Sequence, residues 1–381
     1  MRVLIITPYF PPKSGGVEHY TYNISKGLVE RGHKVTVITT DKEDYEESLH
    51  GIRVFRLKNR ASISNTPLNL RIFREVSDKI LDEKIHLVNA HMPVPFLADM
   101  AAIAAKRNDT PFVLTYHNDV VKDSGLLKLA SRAYNNSLMK LTLKLSARII
   151  TPSPYVYKES TILRGYYDLI ELIPPAVDPE TYKPGNSNLR EKYGIPEDSK
   201  IVLFVGAMNR GHRHKGVDVL LRAFSKIEDE DNYLVLAGSG DMIPEYRKLA
   251  ESLSIADKAV FMGFVSENQL IDLYRTSDIL VLPTLTIAEG FGMVLIEANA
   301  CGTPVIGSKV GGIKYVIRDG ETGILVPPGD PVALADAITR ILEDEELAAR
   351  MGSNGRRMVM ENYTWDKSAR MTERVFEEVI S

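Results

Sequence analysis

One cysteine, Cys301, occurs in 381 residues, which excludes a disulfide framework and a cysteine-rich zinc site. Apolar runs of about 18 residues are absent, so no membrane-spanning helix is expected. The first apolar segment, residues 2–7, stops at Pro8. It is shorter than a signal-peptide core and lacks a small-residue cleavage site, so a reducing, cytoplasmic location is expected. Low-complexity segments and short repeats are missing too. The net charge is only −3, but it is unevenly spread. Residues 1–190 carry 26 Lys and Arg against 20 Asp and Glu, a net of +6; the remainder carries 21 against 30, a net of −9. The first half is therefore expected to face something anionic.

What is present is 44% apolar and 25% charged, in a chain long enough for two domains of roughly 150–200 residues. Apolar runs of strand length alternate with helix-period segments throughout. Strands are expected at 2–7, 34–40, 85–90, 112–116 and 148–151, with a helix at 17–31. Around 174–196 a cluster of prolines and glycines breaks the rhythm, and a second series of strands follows at 201–205, 233–237, 259–262, 278–282, 304–307 and 323–326. The tail from 331 onwards reads as helical. This pattern predicts an α/β protein with two doubly wound, Rossmann-like parallel-sheet domains. Their boundaries are placed at 1–180 and 197–362, joined by a linker at 181–196 and followed by a C-terminal helix at 363–381. Ligands of such sheets sit at the carboxyl ends of the strands, and the cleft between the two domains is the expected site.

Four strand-end segments carry chemistry. Gly15 and Gly16 open a helix whose free N–H groups suit an anion, with a flexible turn as the alternative. A buried strand ends by presenting His117, Asn118 and Asp119, where polar groups usually line a site. The loop 205–216 crowds Arg210, His212, Arg213, His214 and Lys215 together, which would suit a diphosphate. Glu289-Gly290-Phe291-Gly292 sets a glycine-rich turn before a helix expected near Phe291, and Glu297 follows two turns on. One carboxylate could take sugar hydroxyls and the other a ribose.

Gly15-Gly16, His117, Lys215-Gly216 and the Glu289…Glu297 pair resemble the retaining glycosyltransferases of family 4. So do Ala300–Ile306, Val310-Gly311-Gly312 and Asp319–Asp330, in matching order across the whole chain. The resemblance implies the two-Rossmann GT-B fold, with an acceptor-binding first domain and a donor-binding second domain. It implies transfer of a hexosyl unit from a nucleoside-diphosphate sugar to an acceptor hydroxyl, with an α-linked product. Glu297 would bind the ribose and Glu289 the sugar hydroxyls. Backbone at Phe291, Gly292, Met293 and Val294 would meet sugar and phosphate. Lys215 would neutralise the diphosphate, and Gly16 would approach it from the first domain. His117 would contact the donor sugar, with Asn118 and Asp119 on the acceptor side. Gly263, Phe264 and Val265 would cradle the base beside Gly238. The family's usual arginine is replaced by Ala207, so Arg210 or Arg213 would supply that cation. The C-terminal helix would cross back to the first domain. A UDP-sugar epimerase of the same fold, a non-catalytic sugar-nucleotide-binding module and a transferase acting on a small soluble acceptor are the alternatives.

Lys215 and the helix N-termini would supply the positive charge that a departing diphosphate needs, so no metal or other cofactor is expected. The Asp229-Glu230-Asp231 run reads as a solvated loop. Residues 120–150 hold six Lys and Arg (Lys122, Lys128, Arg132, Lys140, Lys144, Arg148) against Asp123, interleaved with leucines. Such a stretch suits an anionic membrane surface, a peripheral location at its inner face and a lipid-linked or glycan acceptor; a solvated helix rim is the alternative. Base-stacking aromatics and reader motifs are lacking, so nucleic acid is not an expected partner.

Overall fold

The computed structural model describes the chain apart from residues 14, 60, 64, 65, 69, 70, 93, 121–124, 188, 229, 230 and 288. Two compact units result: Met1–Pro175 together with Trp365–Ser381, and Ala176–Thr364.

The first unit is built on β1 (Arg2–Ile6), β2 (Lys34–Asp41), β3 (Tyr45–Leu49), β4 (Ile52–Lys58), β7 (Leu87–Met92), β8 (Phe112–Tyr116), β9 (Arg148–Thr151) and β10 (Ile170–Leu172), with a separate short hairpin of β5 (Ala61–Ile63) and β6 (Thr66–Leu68). The sheet order is 10-9-8-7-1-2-4-3, parallel throughout except for β3, which runs antiparallel to β4 at the edge. Side chains alternate across a strand. Val3 and Ile5 therefore join one core layer with Val37, Leu87 and Val113, while Leu4 and Ile6 join the other with Val88, Ala90 and Leu114. With both faces covered, the strands need continuous apolar runs, and those are what made them legible.

The final helix, Trp365–Ile380, belongs to this unit and packs on the helix Gly16–Glu30. Gly27 lets the two helices approach, because a Cβ there would press on that of Ala369 at 2.5 Å. Phe376 is fully buried. Glu373 accepts from Arg31 and from His33 Nε2 at 2.7 Å, and Ser368 donates to the Pro174 carbonyl at 2.9 Å.

The second unit contains β11 (Lys200–Val205), β12 (Asn232–Ala237), β13 (Ala259–Gly263), β14 (Ile279–Leu282), β15 (Val305–Ser308) and β16 (Gly323–Val326). All are parallel, in the order 13-12-11-14-15-16. Each sheet grows in one direction, then restarts beside its first strand: β7 beside β1, and β14 beside β11. The gap above that junction is the topological switch point, where strand-end loops diverge to opposite faces.

Three features were not legible in the sequence. The stretch 181–196 is not free-standing: Ile195 and Leu189 lie in the second unit's core, and Arg190 donates to the Pro196 and Ser199 carbonyls. The helix expected near Phe291 runs Met293–Ala300, because Gly292 holds a left-handed φ of 87°. Strands β3 and β4 carry outward charged residues that hid them from a search for apolar runs.

Arg31 and His33 hold the Glu373 carboxyl below its ordinary pKa. A lowered folded pKa adds stability above the unfolded value and loses it as pH falls. Glu373→Gln should therefore cost about 1–2 kcal/mol at neutral pH, read by urea denaturation, and the difference from wild type should shrink as pH falls below the unfolded value and vanish once pH has passed the lowered folded pKa.

Candidate functional site

In the second unit, the loops after β11 and β14 flank the switch point. The first runs from Gly206 through a 3-10 turn, Arg210–Lys215, to the helix Val217–Phe224. Gly216, at φ 72°, is the hinge of this path: a Cβ would collide with the Pro283 carbonyl. Leu285 N–H donates to the His214 carbonyl at 2.7 Å, tying the two loops together. The Lys215 side chain folds back over Gly206, where a Cβ would lie 3.0 Å from its Cδ.

Lys215 Nζ reaches Glu289 Oε2 at 2.7 Å, with each side chain 17% exposed. Two residues assigned separate tasks from the sequence are thus one ion pair spanning the switch point. The turn that carries Glu289 is gripped by the Val310-Gly311-Gly312 motif. Gly312 N–H donates to the Glu289 carbonyl at 2.8 Å, and a Cβ on Gly312 would collide with the Gly290 carbonyl. Beyond the turn, Gly292 starts the helix Met293–Ala300, whose first N–H groups, at Met293 and Val294, have no acceptor within the helix. Phe291 buries its ring edge-on against Tyr363 and offers only backbone.

Glu297 projects from that helix with Tyr274 Oη donating to its Oε2 at 2.7 Å. Burial, with Glu267's charge added, pushes its pKa up to about 7. Gly238 and Gly240 let the loop after β12 lie backbone to backbone on 206–209, since a Cβ at either would overlap Gly206 or Met208. Gly238 N–H donates to the Gly263 carbonyl at 2.8 Å. Next to it Phe264 is 83% exposed, and Val265 is half-buried.

Arg210 is not brought to the Lys215 pair. Its guanidinium is held by Asp241 and Glu245, at 3.6 and 3.0 Å, and is largely exposed. Its backbone N–H also donates to Asp241 Oδ1 at 3.0 Å, so this residue is held to the loop after β12. Arg213 is exposed, and its charge is felt at Tyr246.

In the first unit, Gly16 opens the helix Gly16–Glu30, and the Glu18 carboxylate lies over Gly15. The fully buried Arg56 anchors the preceding loop: it donates to the Pro11 carbonyl and pairs with Asp41 at 3.2 Å and Glu47 at 2.6 Å. His117 follows β8 and stacks on His91, with Nε2 3.1 Å from His91 Nδ1. His91 in turn meets Asn89 and Thr21, both at 3.0 Å. The Tyr20 ring stands edge-on to His117. Asn118 is exposed. Asp119 Oδ1 accepts from Tyr116 Oη at 2.8 Å and Ser160 Oγ at 2.6 Å, so this oxygen braces the loop.

His91, Asn89, Thr21 and Arg56 escaped the sequence reading. The available signal was Asn and His alternating in an otherwise apolar strand. Lys122, Asp123, Asp229 and Glu230 lie outside the described residues. Among the described residues no group of three or more His, Cys, Asp or Glu is arranged to hold a metal ion, and no helix is long and apolar enough to cross a membrane.

Residues 186–358 match the family model of glycosyl transferases group 1, and residues 14–181 match that of glycosyltransferase family 4. The chain is similar to an uncharacterized glycosyltransferase of Methanocaldococcus jannaschii, 31% identical over 99% of this chain and 98% of the relative. It is also similar to an O-antigen chain mannosyltransferase of Escherichia coli, 30% identical over 96% of this chain and 95% of the relative. Among solved structures, sucrose-phosphate synthase from Thermosynechococcus elongatus superposes with a TM-score of 0.78 at 26% identity, covering 99% of this chain and 98% of that one.

Gly312→Ala should displace the 289–291 turn and cost about 1–3 kcal/mol, as overpacking does. Gly16→Ala meets no described atom within 4 Å and should be neutral or stabilising by up to about 1 kcal/mol. Urea denaturation of both variants measures the contrast.

Proposed function

The chain belongs to the family of group 1 glycosyl transferases and is a GT-B glycosyltransferase, and from that premise we propose that it moves a hexosyl unit from a nucleoside-diphosphate sugar to an acceptor hydroxyl with retention at the anomeric carbon. The observation that carries this reading is the Lys215–Glu289 ion pair at the switch point, beside the first turn of Met293–Ala300. An incoming diphosphate brings negative charge that competes with Glu289 for Lys215. Once Lys215 turns to phosphate, the Glu289 carboxylate is free to accept sugar hydroxyls. The N–H groups of Met293 and Val294 add donors aimed at an anion. As the glycosidic bond breaks, charge accumulates on the leaving diphosphate, and these fixed groups stabilise it without reorganising. The transfer then needs no metal, and a chelator leaves its rate unchanged.

Glu297 keeps one oxygen on Tyr274 and has the other to accept ribose hydroxyls. Phe264 offers an exposed ring to a base. His117 is assigned a contact with the sugar hydroxyls. Arg210, committed to Asp241 and Glu245, carries little of the diphosphate's charge.

The acceptor side is read as glycan or lipid-linked. A similar chain is named an O-antigen chain mannosyltransferase, which supports this. On the helices Gly125–Asn136 and Leu138–Leu145, Lys128, Leu129, Arg132, Lys140, Leu141 and Lys144 are all exposed. Exposed leucines among lysines suit an anionic bilayer surface.

A panel of UDP-, GDP- and ADP-sugars in a thermal-shift assay should yield one that raises Tm, since a ligand at 100-fold over Kd adds about 2.7 kcal/mol. That shift should weaken as pH falls through about 7, where Glu297 takes up its proton. Glu297→Gln should flatten the profile. Glu289→Ala should remove most transfer while the protein stays folded; wild-type rates would refute the role assigned to Glu289. Vesicles containing anionic lipid should carry the chain in flotation at low salt, and neutral vesicles should not.

A further inference from the structure

His117 sits at the end of a hydrogen-bonded chain that reaches back through the sheet. Asn89 on β7 fixes its start. Its Nδ2 donates to the Val113 carbonyl and to Thr115 Oγ1, both at 3.0 Å, so its Oδ1 is the acceptor that faces His91 Nε2 at 3.0 Å. His91 Nε2 must then carry a proton. Burial pushes the pKa of His91 well down, and that of His117 down to about 3. Both rings are therefore neutral, and His91 Nδ1 is a lone pair.

That lone pair faces two groups, Thr21 Oγ1 at 3.0 Å and His117 Nε2 at 3.1 Å. The Thr21 proton has the Val17 carbonyl at 2.8 Å. If His117 Nε2 were also bare, two nitrogen lone pairs would oppose each other in a buried setting, at a cost comparable to a lost buried hydrogen bond. His117 Nε2 therefore bears the proton, and its Nδ1 is bare. The Tyr20 ring, edge-on at 5.2 Å and tied by its hydroxyl to the Ile173 carbonyl at 3.0 Å, keeps the imidazole from turning over. Among the described residues no hydrogen-bond partner is found for His117 Nδ1.

We propose that His91, held by Asn89, is a positioning residue that fixes His117 as its Nε2–H tautomer and so presents Nδ1 as an acceptor for a substrate hydroxyl. This rests on the reading that His117 meets substrate. A second-layer partner of this kind sets which ring nitrogen is available, much as the orienting group behind a catalytic histidine does. An acceptor at this position selects a ligand with a hydroxyl proton to give, and discriminates against its deoxy or O-methyl analogue.

Long-range 1H–15N correlation spectra of histidine-labelled protein read the tautomer directly. The wild type should show His117 protonated on Nε2 alone. In His91→Phe, which keeps a ring in the stack but removes the acceptor, and in Asn89→Leu, which frees His91 to change tautomer, the His117 signals should shift toward the other tautomer. Transfer should fall about tenfold or more in kcat/KM, the scale of one lost hydrogen bond. His91→Gln, whose side-chain oxygen can accept, should restore both readouts. A His117 protonated on Nδ1 in the wild type, or unchanged spectra in two folded variants, would overturn the relay. Full activity in His117→Ala with the relay spectra as expected would instead overturn the contact with substrate.

Discussion

Parallel strands bring all their carboxyl ends to one edge of a sheet, and the reversal of strand order opens a gap at that edge. Everything chemical in the second unit depends on this constraint. The loops after β11 and β14 are neighbours only because β14 pairs with β11. That pairing sets Lys215 and Glu289, 74 residues apart, at 2.7 Å. Glycines make the approach possible. Gly216 clears the end of β14, Gly238 and Gly240 clear the loop after β11, and Gly312 clears the turn that carries Glu289. Each sits where a side chain would force two backbones apart.

The ion pair also gives the ligand-free protein a defined starting state. Two partly buried charges satisfy each other, so neither is left alone where water is scarce. A diphosphate offers Lys215 a more highly charged partner, and Glu289 changes from counter-ion to hydroxyl acceptor. The proposed mechanism thus draws both tasks from one contact. Arg210 shows the contrast: it is also paired, but exposed on a loop flank where its charge is screened by water. The charge imbalance between the two halves of the chain has a local component in the exposed Lys128, Arg132, Lys140 and Lys144.

Much of the architecture was legible because strands buried on both faces must be apolar end to end. Val3–Ile6, Ile201–Val205 and Ile279–Leu282 announce themselves that way. The edge strand β3, Tyr45–Leu49, could not, since one face of it meets solvent. The glycine motifs were legible as backbone devices, and Lys215 and Glu289 were named from them. Their pairing was not, because no spacing in the sequence encodes which strands become neighbours. His91 and Asn89 were missed for a different reason. Polar residues inside an apolar strand weaken the strand signal while being the reason the strand matters. Asp119 stands beside His117 in sequence, and its bonds to Tyr116 and Ser160 could not be read there, because Ser160 comes from a distant loop.

Transfer from a nucleoside-diphosphate sugar with retention leaves its signature in the product's anomeric carbon. The most direct test supplies the stabilising donor, labelled with carbon-13 at its anomeric carbon, together with a panel of lipid-linked saccharides and small polyols. The product is followed by NMR and the released nucleotide by chromatography. One nucleoside diphosphate is expected per new glycosidic bond, with the donor's anomeric configuration kept in the product. An inverted configuration, or conversion of the donor sugar to its epimer without any acceptor, would contradict it.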